Sequence, residues 1–408
     1  MNKKLYFLSF VLLSSLAISS CAVKETKVET SAGNNMVITS FDNTVNKMKS
    51  LYEDSFFSLQ LQGSSTSYSK LDVIAVSQET SSYTQTIENN ASNLIELFAN
   101  FNTSNINSTP ASLEGTELYL KQQNIDSSKI YTTPSLGFDI EKNSDIYYEG
   151  LIKDNVSYNY SKIDNVEDSS QEIMDQEDAE DFAEQLQDLI NLDFELFDNG
   201  IENDLITIDL STLFSKADEE EFKQKHYEFL KGDLSSEEYC KYLISVMDEP
   251  TEEIEQELLD ALNFTNQCNP FKYLEYTKVK KDNLTTLSSS LDYQRWKDDI
   301  YEFHKTIHKE GDTSLECLSH ILYRLVPSNV NFNFSISTNK DNVITSLSYD
   351  INIKGAIPSI VLTKILGSGI LGALDVNYDL SLSGSYSLNL KSEKLVVKTV
   401  EEFLNNQK

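Results

Sequence analysis

Residues 376–390 alternate without a break. Val376, Tyr378, Leu380, Leu382, Gly384, Tyr386, Leu388 and Leu390 are apolar or glycine, and every residue between them is Asn, Asp or Ser. Successive side chains point to opposite faces of a strand, so this stretch predicts one long half-buried strand with an apolar face and a wet face. Residues 330–337 and 343–354 carry the same pattern and predict two strands before it. The rest of the chain is expected to be organised around this C-terminal sheet.

Other periods occur upstream. Phe41, Val45, Met48, Leu51 and Tyr52 recur at helical spacing behind Ser40, a candidate N-cap. Residues 57–62 and 71–76 read as two paired strands. Ile87, Ala91, Leu94, Ile95, Phe98 and Phe101 predict a second helix. Strand signals return at 117–121, 129–132, 145–153 and 156–163, with Lys153-Asp154-Asn155 as a hairpin turn.

From about 167 to 263 the pattern is acidic and helical. Ala179, Phe182, Ala183, Leu186, Leu189 and Ile190 form one stripe, with Gly200 as its stop, and residues 205–210 read as a strand. Asp218 with Glu221, and Ser235 with Glu238, have capping-box spacing. Ile254, Leu258, Leu259 and Leu262 define a further helix. Strands follow at 273–279 and 284–287, then helices through Tyr293–Ile307 and 315–325, the latter ended by Pro327. Residues 395–403 read as a short closing helix or strand. The expected class is α+β, one body with a helical insertion near its middle.

Composition narrows the function. The chain has 408 residues and a net charge of −32. That charge disfavours nucleic acid, whose phosphates need a basic surface, and electrostatic docking on anionic lipid headgroups. Lys3 and Lys4 precede an apolar run from residue 5 to residue 18 that is short for a membrane span. The run ends in Ile18-Ser19-Ser20-Cys21, which resembles the lipobox of bacterial lipoproteins. The resemblance implies cleavage before Cys21 and lipidation of Cys21. It gives a signal peptide over 1–20, a lipidated flexible tether over 21–38 and a body over 39–408, anchored in the cell envelope and facing the periplasm or exterior. Cys240, Cys268 and Cys317 then remain, an odd number that leaves at least one free thiol.

Candidate chemistry is thin. His304 and His308 stand one helical turn apart, but Lys305 occupies the position where a zincin-type motif has glutamate. No Gly-x-Ser-x-Gly elbow and no glycine-rich phosphate loop with a following lysine occurs. No enzyme activity, metal or cofactor is expected. The segment 356–374 is apolar, with Lys364 as its one basic residue, Pro358 placed to start a short helix and Gly367 to end it. It is read either as core filling one mouth of the sheet or as one wall of an apolar cavity. In the second case Ile365, Leu366, Ile370 and Leu371 form the near wall, and Tyr378, Leu380 and Leu382 the far one.

The paired late strands, 330–337 and 343–351 around a charged turn at 338–342, together with the lipobox, resemble the LolA/LppX-like lipoprotein superfamily. The resemblance covers the lipobox and roughly the last eighty residues. It implies a curved antiparallel sheet, like a half-open barrel, with helices on its concave face. It also implies that lipids or acyl chains bind between sheet and helices. Three functions are weighed: an anchored carrier or sensor of an apolar ligand, a surface lipoprotein that contacts an unknown protein partner, and, last, a pore former.

Overall fold

The computed structural model describes residues 26–75, 83–135, 137, 139–191, 216–231, 234–247, 250–267, 269–307, 324–359, 361 and 374–405. They form an α+β structure built on one open antiparallel sheet of twelve strands. In chain order the strands are β1 Thr26–Val28, β2 Phe57–Ala75, β3 Tyr83–Phe101, β4 Glu117–Thr133, β5 Ile140–Lys153, β6 Val156–Ile163, β7 Val166–Ile173, β8 Leu274–Lys281, β9 Leu284–Leu291, β10 Asn329–Thr338, β11 Ile344–Ile357 and β12 Leu374–Lys391. The helices are α1 Thr30–Glu53, α2 Thr103–Ile106, α3 Gln176–Asn191, α4 Glu219–Lys231, α5 Ser236–Val246, α6 Glu252–Gln267, α7 Tyr293–Ile307 and α8 Val400–Asn405.

The strand order is β1-β8-β9-β10-β11-β12-β2-β3-β4-β5-β6-β7. Two meanders, β2 to β7 and β8 to β12, therefore join along the long β12–β2 ladder, which runs from Leu374↔Ala75 to Lys391↔Ser58. This order explains the helices. The chain leaves β7 at one edge and must reach β8 beside the other edge; α3 to α6 lie in this connection, α3 packing beside α1 on the apolar face. It must also pass from β1 at the edge to β2 in the middle, and α1 does this. Six strand spacings come to about 29 Å. A helix of 24 residues is about 36 Å long, enough to span them.

Alternation gives the sheet two unlike faces. On one, Leu59, Leu61, Ile95, Leu97, Ala99, Tyr386 and Leu388 pack with Met48 and Leu51 of α1 and with Ala179, Leu186 and Ile190 of α3. Further along the same face, Leu274, Tyr276 and Leu287 pack against Met36 and Val37 of α1. The opposite face is mostly Ser, Thr, Asn and charged residues. At its β3–β6 end, however, Phe98, Tyr119, Leu151 and Tyr158 are covered by Val397, Val400 and Phe403 of the C-terminal segment. Helices thus lie on both faces, whereas the sequence reading placed them on one.

The same segment is tied down by buried polar groups. Ser58 Oγ donates to Asn100 Oδ1 at 2.7 Å, Asn100 Nδ2 donates to the Leu395 carbonyl at 2.9 Å, and the Leu395 amide donates to Asn100 Oδ1 at 2.8 Å. Glu149, 2% exposed, pairs with Lys398 and accepts from the Tyr119 hydroxyl at 2.7 Å and the Tyr147 hydroxyl at 3.0 Å. Burial alone would raise the Glu149 carboxyl, but the bonds from Lys398 and Tyr119 outweigh it and hold it below the usual range.

Three expectations are corrected here. The span 21–38 is not all tether: Thr26–Val28 pairs with β8, and α1 begins at Thr30 rather than behind Ser40. Ser40 lies inside the helix, donating back to the Met36 carbonyl at 2.7 Å. The helix expected at 87–101 is the nineteen-residue strand β3. The acidic insertion expected from 167 begins with strand β7, and its helices run from Gln176 to Gln267. Helices α4 to α6 carry a core of their own, built from Phe229, Tyr239, Cys240, Leu243 and Leu262. Cys240 is a buried free thiol. The expected capping box is present: Ser235 and Glu238 satisfy each other's backbone amides at the start of α5. Residues 1–25, including Cys21, lie outside the described residues, as do Gly200, 205–210, Cys268, His308, Cys317 and most of 315–325.

Candidate functional site

Helix α1 covers only part of the apolar face. The strands β10, β11, β12, β2, β3, β4 and β5 extend beyond it, and a cleft of about 700 Å³ lies over this extension. One wall is apolar. Ile351 and Ile353 of β11 stand directly opposite Leu382 and Leu380 of β12. Phe332 and Val330 of β10 continue the same two rows. All six residues are apolar for the reason seen in the sequence, a strict two-residue period in each strand.

The chemistry changes at the β12–β2 ladder. Leu382 faces Ser67, and Leu380 faces Ser69. The rows then continue through Ala91 and Asn89 of β3, Asp126 and Ser128 of β4, and Ser144 and Lys142 of β5. The alternation of the apolar face is interrupted here by an island of small polar side chains and two opposite charges. One row further out the face turns apolar again, with Tyr378, Leu71, Ile87, Ile130 and Ile140 in register. A polar island on an otherwise apolar face needs water or a polar ligand over it.

Within the island Asn89 Nδ2 donates to Ser69 Oγ at 3.3 Å, and Asn124 Nδ2 donates to Asp126 Oδ2 at 2.8 Å. The Asn124 side-chain oxygen is buried without a hydrogen-bond partner among the described residues. Lys142 is exposed, and among the described residues no carboxylate lies within ion-pair distance of it.

The expected ligand-binding residues divide. Leu380 and Leu382 line the cleft, and Leu380 is 42% exposed, an open position for a leucine on a core face. Tyr378 lies on the same face one row away, its hydroxyl against Gly355, where a Cβ would come within 2.2 Å. Its phenol is raised by burial. Ile365, Leu366, Ile370 and Leu371 lie outside the described residues. Preceding them, Val361 is completely buried, and the Ser359 amide donates to Asp375 Oδ1 at 2.9 Å. Ile351, Ile353 and the polar island are not among the residues expected from the sequence. The first two carried a usable signal, since they fall in register with β12. The island did not, because Ser64-Ser65-Thr66-Ser67 resembles a loop between two strands.

A second cleft of about 690 Å³ lies at the β1–β8–β9–β10 end and is lined mainly by the polar face, with Ser288, Ser335, Ser348 and Ser385 in one row. No group of His, Cys, Asp and Glu able to hold a metal occurs among the described residues. No helix among them is long and apolar enough to cross a membrane. Comparison with known proteins finds no matching family model, no matching curated protein and no matching solved structure.

Proposed function

We propose that the protein is a lipid-anchored lipoprotein of the bacterial cell envelope that binds or carries a hydrophobic ligand, a lipid or acyl chain, in the cleft over β10 to β12. One observation carries the reading. Ile351, Ile353, Leu380 and Leu382 form a continuous apolar wall on the core face, in a region that α1 leaves open. Leu380 is exposed and Ile351, Ile353 and Leu382 are only half-buried among the described residues; such side chains in a cleft of this size, within the range of about 300–1,000 Å³ usual for small-molecule sites, favour an apolar ligand. A half-barrel of the LolA/LppX-like kind would put this cleft on its concave side, and the open sheet is in keeping with that. The anchor is assigned to Cys21 from the lipobox, and the reading includes no catalytic residue, metal or cofactor.

Native mass spectrometry of the purified protein tests the reading. Co-purified lipid is expected, and Ile353→Asp should remove it with little loss of stability, because an aspartate in an open cleft reaches water. Absence of lipid from the wild type, together with failure to take up any fluorescent acyl-chain probe, would overturn it. Cys21→Ala should abolish metabolic labelling with palmitate; retained label would overturn the anchor.

A second reading, a protein-binding module, is favoured by the β7 edge. This strand is exposed along its whole length, with Val166 71% and Ile173 81% exposed, and among the described residues no strand pairs with its outer edge, which offers backbone groups to another strand.

A further inference from the structure

The two halves of the cleft point to the class of ligand. The apolar half ends abruptly where Leu382 faces Ser67 and Leu380 faces Ser69. A purely apolar ligand, lying across this boundary, would strip water from hydroxyls it cannot satisfy. A ligand with a polar end set against β2–β5 avoids that cost. The polar half also carries one carboxylate, Asp126, and one ammonium, Lys142, in adjacent rows of neighbouring strands. The charges of this half balance, in a chain with 65 acidic and 33 basic residues.

An anionic headgroup would meet Lys142, but also Asp126 and the field of the whole acidic protein. A cationic one would meet Lys142 as a like charge. A headgroup with both signs and no net charge suffers neither penalty and can match both residues. Resting on the carrier reading above, we infer that the ligand is an amphiphile with a zwitterionic headgroup. Its anionic group lies toward Lys142, its cationic group toward Asp126 and its chain against Ile351, Ile353, Leu380 and Leu382.

The test uses the purified full chain and four fluorescent single-chain lipids with the same chain: lysophosphatidylcholine, lysophosphatidylglycerol, a fatty acid and a monoacylglycerol. The zwitterionic lipid is expected to bind at least tenfold more tightly than the other three. Lys142→Gln and Asp126→Asn should each erase most of that preference, with thermal melts and circular dichroism like those of the wild type showing that the variants are folded. Equal binding of all four lipids, or a preference that survives both substitutions, would overturn the headgroup assignment and leave the carrier reading standing. Binding of none of the four would remove both.

Discussion

Gly33 of α1 lies against the ring of Tyr276 in β8. A Cβ on Gly33 would sit 2.2 Å from Cδ2 and 2.3 Å from Cγ of that ring. Tyr276 is buried and its hydroxyl donates to Asn34 Oδ1 at 2.6 Å, so the ring is held from both ends. The helix can approach the sheet this closely only with glycine here. Alanine is the better helix former by about 1 kcal/mol. Even so, Gly33→Ala should destabilise the protein by about 1–3 kcal/mol, the usual cost of overpacking. Urea denaturation measures this, and Tyr276→Leu should shrink the penalty in a double-mutant cycle. A neutral or stabilising Gly33→Ala would mean that α1 does not pack this closely.

This contact shows why the start of α1 was not legible in the sequence. Its buried positions include Gly33, Ser40 and Thr44, which give no hydrophobic period. They are small because the helix lies close across several strands, and Thr44 Oγ1 accepts from the Ile344 amide of β11 at 2.9 Å. Strand β3 was misread for the opposite reason. Ile87, Ala91, Ile95 and Phe101 share the core face, while Phe98 is covered on the other face by the C-terminal segment. A strand buried on both sides loses its clean alternation. Strand β7 is exposed on both sides, so its residues carried no pattern. By contrast β10, β11 and β12 alternate cleanly between an apolar and a wet face, and their extents were legible to within about three residues.

The Lys398–Glu149 pair fixes the C-terminal segment to the β4–β6 end of the polar face. Lys398 also lies over the Tyr119 ring at 4.8 Å. Lys398→Met keeps the aliphatic stem and removes the only cation paired with Glu149 among the described residues. A buried carboxylate left without its partner costs about 3–5 kcal/mol. Thermal melting of Lys398→Met should show a loss of that order, and adding Glu149→Gln should restore part of it. An unchanged melt would mean that the segment is not docked through this pair.

Acid should act on the sheet through the same groups. Burial would raise the Glu117 carboxyl, but hydrogen bonds from Lys394, Asn100 and Lys153 outweigh it, and both Glu117 and Glu149 are held below the usual carboxylate range. A depressed carboxyl contributes stability above its unfolded pKa, about 4.3, and loses it as pH falls through the folded value. The melting temperature of the sheet should therefore fall below about pH 4.5. In Glu149→Gln the fall should be shallower. An acid limb of the same steepness in that variant would show that Glu149 contributes nothing to it.

Helices α4 to α6 should respond separately. Their core of Phe229, Tyr239, Cys240, Leu243 and Leu262 does not include side chains of the sheet, whereas Leu186 of α3 packs in the main core beside Met48 and Leu97. Leu186→Asp therefore buries a charge in the sheet's own core and should lower the principal transition by several kcal/mol, on the order of other buried-charge substitutions. Leu243→Asp should instead unfold the small helical core, with loss of helical circular dichroism while the sheet's transition stays near wild type. His226 in α4 adds a pH dependence to this part alone. Burial lowers its imidazole, and its Nδ1 lies 2.8 Å from the Tyr239 hydroxyl. An imidazole kept neutral by folding supports the fold above its unfolded pKa, about 6.5, and that support is lost as pH falls toward the folded value. The helical signal should then weaken as pH falls below about 6.5, before the sheet is affected, and His226→Gln should remove that early phase. A single cooperative loss of both signals in Leu243→Asp, or at mild acid, would show instead that the two cores fold as one unit.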